Sequence, residues 1–203
     1  MFYFFSYDVP ELWKNASVLV DILFQLSLAI IANLLFFIFQ MYIPNYKRNI
    51  RIRPTITKKI ERICQYMNEP ICEITERYLG EKKNLNELSN DDISKIAAQY
   101  RPQDTSTVQV AFLCQNLTYN QYFEFSFDKI DEIIQELIFT YEPYLSNMER
   151  DILPLIKEHT IRQFLGNPLM NLVDTTGIQG NAVLYTFRSY KNIYKKALEL
   201  RDS

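Results

Sequence analysis

From Ile22 to Ile43 the chain reads ILFQLSLAIIANLLFFIFQMYI, with no formal charge, and the run stops at Pro44 just before a basic cluster. At about 1.5 Å per residue, a helix of this length reaches roughly 30 Å, the thickness of a hydrocarbon core, so the pattern predicts a membrane-spanning helix. Much later, Phe127, Ile130, Ile134, Leu137 and Tyr141 recur at spacings of three and four, which is one buried face of a helix. A further helix is predicted from about Asn147 to Leu165, with Met148, Ile152, Leu155 and Ile156 inward and Pro154 as a kink. Gly166, Asn167 and Pro168 stop it. After the turn-like DTTGIQGN, the residues Val183, Phe187, Tyr190, Tyr194 and Ala197 or Leu198 mark a last helix.

The middle of the chain is read from its punctuation. Pro54 closes a basic linker and a helix is expected from Thr55 to about Met67. Its successor starts near Glu69 and Pro70 and ends at Gly80. EKKNLNELSN is polar and reads as a loop, and Ser89 followed by Asp92 has the spacing of a capping box that opens a helix to about Tyr100. Over 108–127, VQVAFLCQNL suits a buried helix and YFEFSF alternates like a strand. The expectation is a helix followed by an extended connection. The resulting fold class is all-α: a single N-terminal transmembrane helix followed by a cytoplasmic antiparallel helical bundle. Residues 1–15, rich in aromatics, form an external interfacial arm, 16–44 the anchor, 45–62 a basic juxtamembrane linker and helix start, and 63–203 the helical domain.

Charge sets the orientation. The chain carries a net −2, but residues 46–62 hold seven basic residues against Glu61, a local +6 that leaves −8 elsewhere. A basic block directly after a span marks its cytoplasmic flank, so the N-terminus is expected outside and the C-terminus in the cytoplasm. A retained anchor is favoured over a cleaved signal, because MFYFFSYDVPELW lacks a basic start and YIPNYKR is no small-residue cleavage site. On that side Cys64, Cys72 and Cys114 read as reduced, buried thiols.

Candidate recognition residues lie in and beside the anchor. Asp21, Gln25, Ala29, Ala32, Asn33, Phe36 and Gln40 gather on one side of the helical projection, with large apolar residues opposite and Ser27 as the exception. Small residues permit close backbone approach and amides can hydrogen-bond between helices, so this face is expected to meet another membrane helix, a second copy or a different protein. Lys47, Arg48, Arg51, Arg53, Lys58 and Lys59 are expected to contact anionic lipid headgroups. With the cluster at the bilayer and the rest acidic, no nucleic-acid partner is expected.

Signals for catalysis are lacking. His159, the sole histidine, follows an apolar stripe and reads as a core or boundary residue, and Cys64 and Cys72 lack the second pair or histidine of a zinc site. Four glycines leave no room for a glycine-rich nucleotide loop, so no cofactor and no metal are expected.

Val9 to Leu12 (VPEL), Asn33 at the centre of the span, Phe36 to Tyr42, Ile43-Pro44 and Lys47-Arg48 together resemble the opening of a group of uncharacterised bacterial single-span membrane proteins. The resemblance covers about a quarter of the chain. It implies a bacterial inner-membrane protein with a cytoplasmic helical domain and carries no activity with it. The expected role is therefore non-enzymatic: the helical domain binds a partner or senses a condition at the membrane. The alternative is a self-assembling membrane effector, of toxin or phage-defence type, that perturbs the bilayer.

Overall fold

The computed structural model describes residues 16–110, 115–158 and 178–202, and the fold is mostly helical. The apolar run becomes helix α1 over Ala16–Phe37, followed by a π-helical turn at Ile38–Tyr42 in which the Ile43 N–H donates to the Ile38 carbonyl. Helix α2 then extends over Ile43–Leu79. The chain divides into two units, one up to Arg51 and one from Ile52 onward, so α2 contributes to both. From Val18 through Tyr42 no side chain is buried.

The linker and the two helices expected over 45–80 are instead this single α2. Proline inside a helix costs about 3 kcal/mol, and Pro54 and Pro70 both lie within it. Against that stand Ile56, Ile60, Ile63, Met67, Ile71 and Ile74, an unbroken stripe whose members are each at most 1 % exposed. At roughly 1.5–3 kcal/mol per buried side chain, the stripe outweighs both prolines. Gly80 ends the helix with φ +75°, a conformation that disfavours other residues, and its N–H donates to the Glu76 carbonyl at 3.1 Å.

The polar loop 81–89 is held against α2 by two side chains. Asn68 Oδ1 accepts the Leu85 N–H at 2.8 Å, and Thr75 Oγ1 accepts the Lys83 N–H at 3.0 Å. Leu85 and Leu88 are buried beneath it. The capping box of Ser89 and Asp92 forms as expected and starts α3, Asn90–Gln99.

Residues 108–127 correct the all-α expectation, because the order of elements is reversed. Strands β1 (Thr105–Val110) and β2 (Gln115–Thr118) pair antiparallel, with Thr105 opposite Thr118, Val110 opposite Gln115 and an irregularity between Thr105 and Gln109. Helix α4 then covers Tyr119–Tyr141. Thr118 is the switch: its Oγ1 accepts the Gln121 N–H at 3.3 Å while Gln121 Oε1 accepts the Thr118 N–H at 3.0 Å. The apparent alternation in YFEFSF is accidental, since Phe123 and Phe127 are buried four apart and Phe125, which a strand would place beside them, is 45 % exposed.

After a 3₁₀ turn at Glu142–Tyr144, α5 covers Asn147–Lys157, and the final helix, α6, covers Ile178–Asp202. Its start lies inside the segment read as a turn. In α5 the inward face is Glu149, Ile152, Leu153 and Ile156, whereas Met148 and Leu155, expected inside, are exposed. His159, Cys114 and the expected continuation of α5 to Leu165 lie outside the described residues. Val183, Phe187, Tyr190, Tyr194 and Ala197 of α6 are buried as expected. Tyr190 joins three helices: its ring meets Phe123 and Phe127 of α4 edge-on at 6.1 Å each, and its hydroxyl donates to the Met67 carbonyl of α2 at 2.9 Å.

Candidate functional site

The residues of the expected helix-association face lie in the first unit. Asp21, Gln25, Ala29, Ala32, Asn33, Phe36 and Gln40 are all exposed, and α1 is long and apolar enough to cross a membrane. Ser27, on the opposite side, satisfies itself by donating to the Leu23 carbonyl at 2.8 Å. The amides of Gln25, Asn33 and Gln40 make no side-chain hydrogen bond among the described residues. At the end of the run Tyr42 and Tyr46 stack with ring centroids 6.3 Å apart, an aromatic pair of the kind that favours a headgroup boundary.

The basic residues separate into two groups. Lys47, Arg48, Arg51 and Lys58 are exposed, while Arg53 and Lys59 are half-buried and ion-paired within the second unit. Lys59 pairs with Glu136 at 2.5 Å. Arg53 Nη1 donates to both carboxylate oxygens of Glu149, at 2.9 and 2.8 Å, and Glu149 is wholly buried. Glu149 Oε2 also accepts the Ser146 N–H at 2.7 Å, closing the capping box of α5. Burial of this glutamate was not anticipated, although the Ser146-to-Glu149 spacing of a capping box is visible in the sequence.

A second unanticipated cluster sits where α2 ends. The Arg77 guanidinium donates to the Thr105 carbonyl at 2.7 Å, pairs with Asp104 at 3.2 Å, and lies 5.8 and 5.7 Å from the ring centroids of Tyr78 and Tyr119. Tyr78 donates to Asp104 at 2.7 Å, and Tyr100 packs on Tyr78, Tyr119 and Phe187. Burial, and for Tyr78 also the bond to Asp104, push the hydroxyls of Tyr78 and Tyr100 well above the usual tyrosine range. They stay protonated near neutrality, and the cluster fastens the hairpin to α2.

Beside it an open cleft of about 390 Å³ is lined by Glu69, Cys72, Glu73, Glu76, Asn84 and Tyr122 among others. The three carboxylates follow one face of α2, and Glu73 accepts the Thr107 N–H. Cys72 Sγ accepts from Asn68 Nδ2 at 3.2 Å. Burial raises the Cys72 thiol and pushes Cys64 up to about 11, so neither is a thiolate near neutrality. Among the described residues no group of three metal-ligating side chains converges.

Because the Cys64 thiol titrates higher when folded, its burial contributes stability in full below about pH 9, and that contribution is lost as pH rises toward 11. In a chain with Cys72→Ser and Cys114→Ser at pH 8, Ellman's reagent should therefore modify Cys64 about 100-fold more slowly than after urea denaturation, from the thiolate fractions alone. Equal rates in both states would mean that the Cys64 site is open.

No known family matches the sequence, and neither a curated protein nor a solved structure matches it.

Proposed function

We propose that the chain is a single-span protein of the bacterial inner membrane, with its N-terminus outside and its C-terminal helical domain, an antiparallel bundle, in the cytoplasm. The domain acts there without catalysis, binding a partner protein or sensing a condition at the membrane. The carrying observation is the contrast between the two units. The second closes its own core across α2 to α6, while α1 leaves every apolar side chain from Val18 onward exposed. So large an apolar surface on one helix calls for lipid or another helix as its solvent. The stacked tyrosines and the exposed Lys47, Arg48 and Arg51 suit anionic headgroups at the exit from the span.

Two assays test this reading. The protein should stay in the membrane pellet after alkaline carbonate extraction, and protease added to inverted vesicles should degrade the C-terminal domain while sparing it in right-side-out spheroplasts. Release by carbonate, or the opposite protection pattern, would refute the anchor or its orientation.

The unpaired amides of Gln25, Asn33 and Gln40 favour a second reading, a self-assembling effector that perturbs the bilayer. A buried interhelical amide bond contributes about 0.6–2 kcal/mol in a membrane. Asn33→Leu should then reduce in-membrane crosslinking of the anchor several-fold; a potential-sensitive dye in induced cells separates the two roles. Loss of potential that Asn33→Leu abolishes supports the effector, and an unchanged potential with intact crosslinking supports the tethered binder.

A further inference from the structure

Between α3 and α6 lies a cleft of about 440 Å³ lined by Asn90, Ile93, Arg188, Lys191, Asn192 and Lys195. Arg188, Lys191 and Lys195 are spaced by three and four along α6, so one stripe of about 10 Å presents three cations to the same space. The stripe faces the start of α3, where the positive end of the backbone dipole is offset by the Asp91 and Asp92 carboxylates of the first turn.

Lys191 is fixed at this point, because its ammonium donates to the Leu88 carbonyl just ahead of the α3 cap. Burial first, and then the neighbouring charge of Lys195, lower the pKa of Lys191, whereas Asp92 acts the other way. Asp92 does not neutralise the stripe, since its carboxylate accepts the Ser89 N–H and hydroxyl at 3.0 and 2.8 Å and faces Lys83 at 3.4 Å. Among the described residues no carboxylate forms an ion pair with Arg188 or Lys195. Three cations thus share one recess, with Asp92, held by Ser89 and Lys83, as the carboxylate that acts on Lys191, and the amides of Asn90 and Asn192 add neutral donors at its rim.

We infer that the α3–α6 cleft binds a small anion carrying two or three linked phosphates. Its size falls within the range of small-molecule sites, about 300–1,000 Å³. A nucleic acid would call for a longer basic track, since tight backbone binding engages about 6–10 phosphates. Arg188 supplies the planar fork that matches phosphate oxygens, Lys191 a fixed ammonium, Lys195 a mobile one, and Ile93 an apolar wall. The inference does not depend on where the protein resides or on whether α1 spans a bilayer.

The test uses the full chain in nanodiscs of neutral lipid, titrated calorimetrically with inorganic tripolyphosphate without magnesium. Binding is expected at one site per chain, weakening as salt is raised. Arg188→Ser with Lys195→Ser should weaken it at least about 10-fold, the loss of two charge-assisted bonds, without lowering the melting temperature. Lys195→Arg should retain it, and Lys47→Ser with Arg48→Ser, which removes the same charge elsewhere, should leave it unchanged. Nanodiscs that contain a phosphorylated lipid, titrated with the same anion, identify the source: heat released by tripolyphosphate that this lipid suppresses points to a headgroup, and heat that persists points to a soluble ligand. No binding by the folded chain at millimolar tripolyphosphate, or equal loss from the Lys47 and Arg48 pair, would overturn the inference.

Discussion

Arg53→Ala should destabilise the second unit by about 3 kcal/mol, because it leaves the wholly buried Glu149 carboxylate with the Ser146 N–H but no cation. Breaking a buried pair from one side costs about 3–5 kcal/mol, and the partial exposure of Arg53 places this case at the lower end. For a domain of this size the melting temperature should fall by about 6–12 °C, read by circular dichroism of the full chain in mild detergent. The informative control is Arg53→Met with Glu149→Met. Removing both charges also removes the desolvation penalty, so the double variant should lie within about 1–2 kcal/mol of the parent, the residue being the lost cap of α5. If Arg53→Ala melts like the parent, or the double variant melts below Arg53→Ala, the pair does not hold α5 to α2.

Phe123→Ala should be more damaging still, at about 4–5 kcal/mol. Its ring is fully buried, stacks on Phe127 with centroids 6.0 Å apart, and meets the edge of Tyr190. Phenylalanine-to-alanine changes in cores cost about 3–5 kcal/mol, and the value rises where the surroundings cannot collapse into the space. Here Tyr190 is tethered by its hydroxyl to the Met67 carbonyl, which keeps the cavity open. Phe123→Leu should cost only about 1–2 kcal/mol, since most of the volume remains. Hydrogen exchange should show α4 losing protection in the alanine variant, while retention in the carbonate pellet stays unchanged. Wild-type protection in Phe123→Ala would show that α4 is not part of the cooperative core.

Where no long-range partner was needed to decide a feature, the sequence was legible. The Phe127 to Leu137 face, with Tyr141 half-buried at its end, the Ser89 capping box and the Val183 to Ala197 stripe are periodic or local signals that appear in the fold. Proline misled over 45–80: taken alone, Pro54 and Pro70 argue for breaks, and only burial of the Ile56-to-Ile74 stripe against other elements reverses that. Thr118 misled by omission, because its capping box with Gln121 has the same spacing as that of Ser89 yet sits where apolar residues drew attention to periodicity instead. In α5 the wrong pair of apolar residues was placed inside, since Glu149 can occupy the core only with Arg53, 96 positions earlier, beside it. The apolar run of α1 was legible because it depends on composition alone. The α3–α6 cleft was not, as its cations come from one helix and its wall from another.

The π turn at Ile38–Tyr42 acts as an angular spacer. Its i to i−5 bond takes up one residue more than an α turn, so positions beyond it lag by about 100°. Under plain α counting Lys47 would continue the line of Gln25, Asn33 and Gln40, and Arg48 would fall outside it. With the extra residue Arg48 swings into that line and Lys47 moves out of it. The surplus residue thereby ties two features of one helix together: Arg48 lies on the side that carries the amides of Gln25, Asn33 and Gln40.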